Sequence, residues 1–431
     1  MQIIIKNGRI INPATKHDKV ADILICEQNI VKISGEIKSK EAHIIDASGK
    51  IVSPGFIDLH AHLREPGRED KETIETGLIS AVTGGFTSVC PMPNTQPACD
   101  NQAQVKFLLD KSAAIGLARI LPVGAITKGR QGKEMTEMCE LKEAGCLGVS
   151  DDGDSVEDPG VLKRAMEYAS MAGLVVMVHC EDKKLASGGV MNEGYWSTIL
   201  GLRPIPQEAE SIIVERDIQL ARRAGARLHI QHVSTRKSIE AIREAKRRGD
   251  RITAEATPHH FTLTDEDLKG YDTNMKVNPP LRSQDDVQAV KEAIADGTID
   301  AIATDHAPHC ESEKEKEFDF APFGMIGFET ALSLSVTELL EKGMIDWKGI
   351  IEKMSYNPAR VIGYRGGNIA EGEPADITVI DPEKEWEYTR EKIRSKSSNS
   401  PFIGRRMKAA VTDVIVGGQM VLTAGKIVRG R

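Results

Sequence analysis

With 431 residues, 40% hydrophobic and 28% charged, the chain has an ordinary globular composition and is too long for one small core. Its formal net charge of −8 argues against nucleic acid or an anionic membrane as the main partner. Seven scattered cysteines without a CxxC pair, no apolar leader and no uncharged run of about 18 apolar residues predict a cytoplasmic protein without a membrane span.

In chain order, residues 1–50 open with "IIIKNGRIIN" and "ADILICEQNIVKI", which read as strands joined at Asn-Gly and polar turns. From residue 51 one grammar repeats: a short β-branched run ends in polar residues, and a stretch of helical periodicity follows. The predicted strands are "IVSPGFIDLH", "FTSVCPMPN", "ARILPVGAI", "CLGVSDDG", "LVVMVHCED", "RLHIQHVS", "RITAEATPHH" and "DAIATDHAPH". Predicted helices between them include "KETIETGLISAV", "PGVLKRAMEYASMAG", "EAESIIVERDIQLARRAG", "TRKSIEAIREAKRRG" and "SQDDVQAVKEAIADG". Two of these end in Gly225 and Gly249 after basic residues, the usual C-terminal signals. Such an alternation predicts an α/β fold, a (β/α)8 TIM barrel. The polar loop "CESEKEKEFDFAPFG", 310–324, reads either as a solvated excursion or as a flap over a site. The last segment, with "ADITVIDP" and "VTDVIVGGQMVLTAGKIV", is again β-like, and sequence pattern alone leaves the two end segments unpaired.

In a barrel, functional side chains stand at the C-terminal ends of the strands. Those ends carry His60 and His62, Asp151 and Asp152, His179, His232, His259 and His260, and Asp305, His306 and His309. Of 11 histidines only His17, His43 and His229 lie elsewhere. Each motif alone has a plain reading. An HxH can be two solvated histidines, Asp-Asp-Gly a turn, and Asp305 a cap. Together with His179 and His232, at five ends of one barrel, they read as a metal centre. His60 and His62, two apart on a strand, point the same way and can share one ion. Imidazoles suit Zn²⁺, and carboxylates fill harder positions. Four histidines and two carboxylates exceed the needs of one ion but suit two joined by a carboxylate, with a shared water that ionises near neutral pH. Two divalent ions against two carboxylates and a hydroxide leave positive charge, which favours an anionic substrate. Arg64 at the same rim can hold a carboxylate bidentately.

The motifs "DLHAHLREPG", "PMPNTQP", "SDDG", "VHCED", "QHVST", "NPPLR" and "ATDHAPH", in this order, resemble the type I dihydroorotases of the amidohydrolase superfamily. The resemblance runs over nearly the whole chain, from "SPGFIDLH" to "GEPADITVIDP". It implies a small β-sandwich domain made from 1–51 and 366–431 around a barrel over 52–365. It implies reversible ring closure of N-carbamoyl-L-aspartate to (S)-dihydroorotate in pyrimidine synthesis, using two zinc ions per subunit. His60 and His62 would bind one ion, His179 and His232 the other, and Asp152 and a hydroxide would bridge them. Asp305 would bind the first zinc and act as general acid/base. Arg64 and Asn94 would hold the substrate carboxylate, and His62 would also contact the substrate. Asn278, His309 and the Phe323–Gly324 backbone would contact the ring or its carboxylate. The resemblance leaves room for a homodimer and for a complex with aspartate carbamoyltransferase. The residues by themselves do not choose Asp152 over Asp151, nor exclude His259 and His260.

Two alternatives have discriminating features. Hydantoinases and allantoinases carry a carboxylated lysine at the end of strand four, where this chain reads "CLGVSDDG" and its nearest lysines are Lys142 and Lys163. An inactive dihydroorotase-like scaffold for the carbamoyltransferase would typically lose the HxH or the strand-eight aspartate, and both are present here.

Overall fold

The single strand expected over 51–60 divides at Gly55. A Cβ there would lie 2.2 Å from the Thr87 side chain, so the chain passes only because the residue has none. Before the break, Ile51–Pro54 pairs antiparallel with Ile377–Glu387; after it, Phe56–Ala61 pairs parallel with Phe86–Pro91. Gly55 is thus the hand-over between a terminal sheet and a barrel. The computed structural model describes residues 2–428.

Among the described residues the terminal sheet has nine strands, drawn from both end segments of the chain. Gln2–Asn12 pairs antiparallel with His17–Cys26 and parallel with His43–Asp46 and Ile51–Pro54. Ile377–Glu387 then leads through Arg406–Val416 to Gln419–Thr423. Alternate residues Ile3 and Ile5, and Ile23 and Ile25, fall on one face and pack with Val52, Ile377, Val379 and Ile415 in a core of their own.

The barrel strands follow as Phe56–Ala61, Phe86–Pro91, Arg119–Gly124 (interrupted at Leu121–Pro122), Gly148–Val149, Val175–Val178, Leu228–Ile230, Ile252–Ala256 and Ala301–Ile302. Every neighbouring pair is parallel. The ring closes where Ala61 bridges His306 and the His62 N–H donates to His306 O at 2.8 Å. Helices form where the periodicity predicts them, each stopped by its own signals. Thr73 caps Ile74–Thr83, Asp158 caps Pro159–Ala172, and Gly225, at φ 64°, ends Glu208–Ala224. Their apolar faces, among them Leu78, Leu162, Met166, Val214, Ile218, Ile242 and Val290, pack on the strands as one continuous core. That packing fixes eight strand ends in one rim.

Candidate metal centre

At that rim the chain turns sharply. Arg64, His232 and Asp305 have φ of 62°, 33° and 46°, a region that costs non-glycine residues energy and recurs where a site over-determines the backbone. The turns bring five strand ends together. Asp152 stands at the middle: its carboxylate oxygens lie 3.3 Å from His60 Nε2, 3.6 Å from His62 Nε2, 3.7 Å from His232 Nε2 and 3.8 Å from His179 Nδ1. Asp305 Oδ1 lies 3.0 Å from His62 Nε2 and 3.6 Å from His60 Nε2.

These residues fit a divalent cation. Ligand atoms on one tetrahedral ion, with bonds of about 2.0–2.2 Å, stand roughly 3.3–3.6 Å apart. The contacts of Asp152 bracket that spacing. His60 Nε2 and Asp152 Oδ1 are buried without a hydrogen-bond partner, as is one nitrogen each of His179 and His232. Such orphans are rare in a folded interior, and a cation accounts for the facing pair. Burial would raise both carboxyls, but His60 and His232 hold Asp152, and His60 and His62 hold Asp305, below the usual carboxylate range. Two close-set groups emerge, His60 with Asp152 and His232, and His60 with His62 and Asp305, each with ligand atoms within 4.8 Å of one another. His179 stands just outside both, 3.0 Å from His232.

The neighbours of these ligands were mostly invisible in the sequence. His60 Nδ1 meets Glu255 Oε1 at 2.8 Å, and Glu255 Oε2 meets His229 Nε2 at 2.9 Å, all fully buried. His229, which stands apart from the strand ends, thus serves the site from behind. The contact orients His60 and leaves Nε2 for an ion. A carboxylate inside the strand "ITAEA" was the available signal. Glu255→Gln is expected to weaken divalent-cation binding about 10–100-fold, measured by chelator competition; unchanged affinity would contradict the role. Arg130, which no pattern marked, donates to Asp152 O at 2.7 Å and to Asp154 Oδ2 at 2.6 Å. Glu181 accepts from Asn278 Nδ2 at 3.1 Å and lies 3.8 Å from His179 Nε2.

Geometry also separates the residues that the sequence left open. Asp151 turns away and accepts from the Ile126 and Thr127 N–H groups at 2.8 and 3.0 Å, tying strand three to strand four. His260 bonds Thr257 Oγ1 at 2.7 Å and Pro279 O at 2.9 Å, so both its nitrogens are occupied. Among the described residues neither His259 nor His260 pairs with Asp152 as His179 does, although His259 Nε2 is also buried without a partner.

A cavity of about 220 Å³ opens onto the centre, lined by His62, Asp152, His179, His232 and Asp305 and, around its other walls, by Arg64, Asn94, Asn278, His309, Phe323 and Gly324. His60 sits behind it, fully buried. His62 Nδ1 is 3.0 Å from Asn94 Oδ1, which orients the ring as Glu255 orients that of His60. The Gly324 N–H already donates to Lys276 O at 2.8 Å. Opposite the Asp152 and Asp305 carboxylates, the His309 wall carries Arg64 and Lys71, the latter paired with Glu313 Oε2 at 3.0 Å. Arg64 Nη2 is 3.2 Å from His309 Nε2, and Lys71 Nζ is 3.0 Å from His309 Nδ1. Burial, Arg64 and Lys71 push the His309 imidazole down to about 2, so it is neutral, and burial lowers the Arg64 guanidinium only to about 10. A small carboxylate suits this wall.

The 310–324 loop packs against that wall. Lys314, buried, donates to Thr273 O and Pro322 O at 2.8 Å each; Lys276 donates to Phe318 O at 2.7 Å. Phe320, 70% exposed, lies on the outer side. Most of 311–320 is exposed, as the solvated reading expects, while Lys314 and Lys276 pin the loop to the wall from inside. Burial and nearby Lys276 push Lys314 down to about 7, against 10.5 for an ordinary lysine. Between those values the unfolded chain binds one more proton, so this group makes stability rise with pH. From pH 7 to 9, the wild type is expected to gain on Lys314→Met by at most about 1.4 kcal/mol per pH unit in denaturant melts. Parallel pH profiles would refute this.

Comparison with known proteins gives a consistent picture. A family model described as "Dihydro-orotase-like" matches residues 49–238. A protein named dihydroorotase from Pelotomaculum thermopropionicum is 51% identical over 423 residues, 98% of this chain and 99% of its own length. Another from Acetivibrio thermocellus is 48% identical, over 97% of this chain and 99% of its own. Among solved structures, an L-hydantoinase (dihydropyrimidinase) from Arthrobacter aurescens matches with a TM-score of 0.88 at 26% identity, over 99% of this chain and 97% of that one.

Proposed function

The chain belongs to the dihydroorotase family, and on that footing we propose that it catalyses the reversible ring closure of N-carbamoyl-L-aspartate to (S)-dihydroorotate and water. The observation that carries this reading is the convergence of four histidines on Asp152 beside a cavity walled by Arg64 and His309. It joins a cation site to a carboxylate-binding wall, the two features that hydrolysis of an acidic cyclic amide needs.

Two zinc ions, one on His60, His62 and Asp305, the other on His179 and His232, with Asp152 shared, would supply a Lewis acid that activates water and polarises the amide carbonyl. The rest falls to the chain. Asp305 takes the proton of the attacking water and passes it to the ring nitrogen as the amide C–N bond breaks; in ring closure the proton travels back. Arg64 and the Asn94 Nδ2 hold the substrate carboxylate, and Asn278, His309 and the Phe323–Gly324 backbone fix the ring against the centre. Held in line, the reacting atoms gain several kcal/mol of barrier reduction. The aspartate at the end of strand four favours this reading over a hydantoinase. Lys163 lies on a helix, paired with Glu167 at 2.6 Å. No helix among the described residues is long and apolar enough to cross a membrane. Seven free cysteines support a reducing compartment, and we place the enzyme in the cytoplasm.

The deciding experiment is a spectrophotometric dihydroorotate hydrolysis assay before and after chelation, with Zn²⁺ add-back. Turnover that disappears with the metal and returns with zinc supports the reading. Absence of metal-dependent turnover of dihydroorotate overturns it, and turnover of hydantoin instead would move the chain to that activity.

A further inference from the structure

Between Glu387 and Arg406 the chain leaves the terminal sheet and crosses to the barrel mouth. It is tied down on the way. The Arg394 and Ser395 N–H groups donate to Glu329 Oε1 at 2.8 and 3.1 Å, and the Lys396 N–H donates to Glu72 Oε1 at 3.0 Å. Ser397 Oγ donates to Lys71 O at 2.6 Å. So anchored, this strap delivers Asn399, 3% exposed, between two segments of the cavity wall. Asn399 Oδ1 accepts the His309 N–H at 3.0 Å, while Nδ2 donates to Ala307 O at 3.0 Å and Gly324 O at 3.1 Å. Its own carbonyl accepts the Ile326 N–H at 3.0 Å.

The two segments have no slack. Gly324 sits at φ 131°, and a Cβ on it would lie 2.7 Å from Ala307 Cβ and 3.2 Å from His309 Cδ2. A side chain that accepts once and donates twice is needed to hold them, and an amide is the short group that does both. We propose that Asn399 is a positioning residue for the substrate pocket. Its amide sets the spacing between the His309 and Gly324 walls, so a strap from the terminal segment, which supplies no metal ligand, tunes affinity for the acidic substrate. This rests on the dihydroorotase reading above.

The test compares Asn399→Asp, Asn399→Ser and Asn399→Ala with wild type in zinc-loaded protein. Losing the two donated bonds is expected to raise KM for dihydroorotate about tenfold, with kcat changed less, since two buried carbonyls lose their partner. Zinc affinity by chelator competition should stay within about twofold, because the ligands lie on other segments. Hydrogen exchange should quicken at the His309 amide and in 321–327, with the barrel strands unchanged. Unchanged KM with only a lower Tm, or zinc affinity falling in step with KM, would overturn the proposal. If Asn399→Ala fails to fold, the near-isosteric Asn399→Asp decides. A wild type without turnover would sink the dihydroorotase reading, whereas exchange confined to the two wall segments would still report whether Asn399 pins them.

Discussion

Replacing Asp305 by alanine is expected to lower turnover about 10²–10⁴-fold while the fold survives. The carboxylate lines the cavity beside His62, 3.0 Å from its Nε2, so it is placed both to touch a bound ion and to reach substrate, whereas Asp152 stands at the middle of the four histidines. Alanine at φ 46° also introduces backbone strain, which aspartate and asparagine tolerate better. Asp305→Asn is therefore the cleaner variant. It keeps the shape and the turn and loses the group that exchanges a proton. Steady-state rates at saturating zinc, alongside thermal melts, separate chemistry from folding. Near-normal turnover by Asp305→Asn would remove the acid/base role.

Asp152→Asn is expected to weaken zinc binding by at least about 100-fold and to carry turnover down with it. Its carboxylate lies within 3.8 Å of a nitrogen of all four histidines, and its charge makes their buried cluster hospitable to cations. The preceding residue is a built-in control. Asp151 has the same chemistry but spends it on the Ile126 and Thr127 amides. Asp151→Asn should cost about 1–3 kcal/mol of stability and leave zinc affinity nearly unchanged. Chelator competition and denaturant melts on the two variants check both halves. Equal losses of zinc affinity would mean that the centre is organised differently.

The barrel and its rim were legible because both are local patterns. Strand and helix periodicities are written in neighbouring residues, and the fold places function at one end of each strand. His60, His62, His179, His232 and Asp305 could therefore be found by reading strand ends. The boundary at Gly55 could not, because it depends on Thr87 occupying the space that a side chain would need.

Residue pattern was enough for the alternation of strands and helices and for the collection of histidines and aspartates at their ends, and the resemblance was enough for the family. Without the resemblance, residue pattern left two adjacent aspartates equal, and the folded chain shows that Asp152 faces the histidines while Asp151 turns to the Ile126 and Thr127 amides, because neighbouring residues leave a strand in different directions. Tertiary structure also decided what holds the site in shape. Glu255 reaches His60 across 195 positions, and Asn399 reaches His309 across 90. A buried hydrogen bond between such partners leaves no trace in local periodicity. Each forms only because a closed barrel and a crossing strap bring donor and acceptor together where water cannot replace either one.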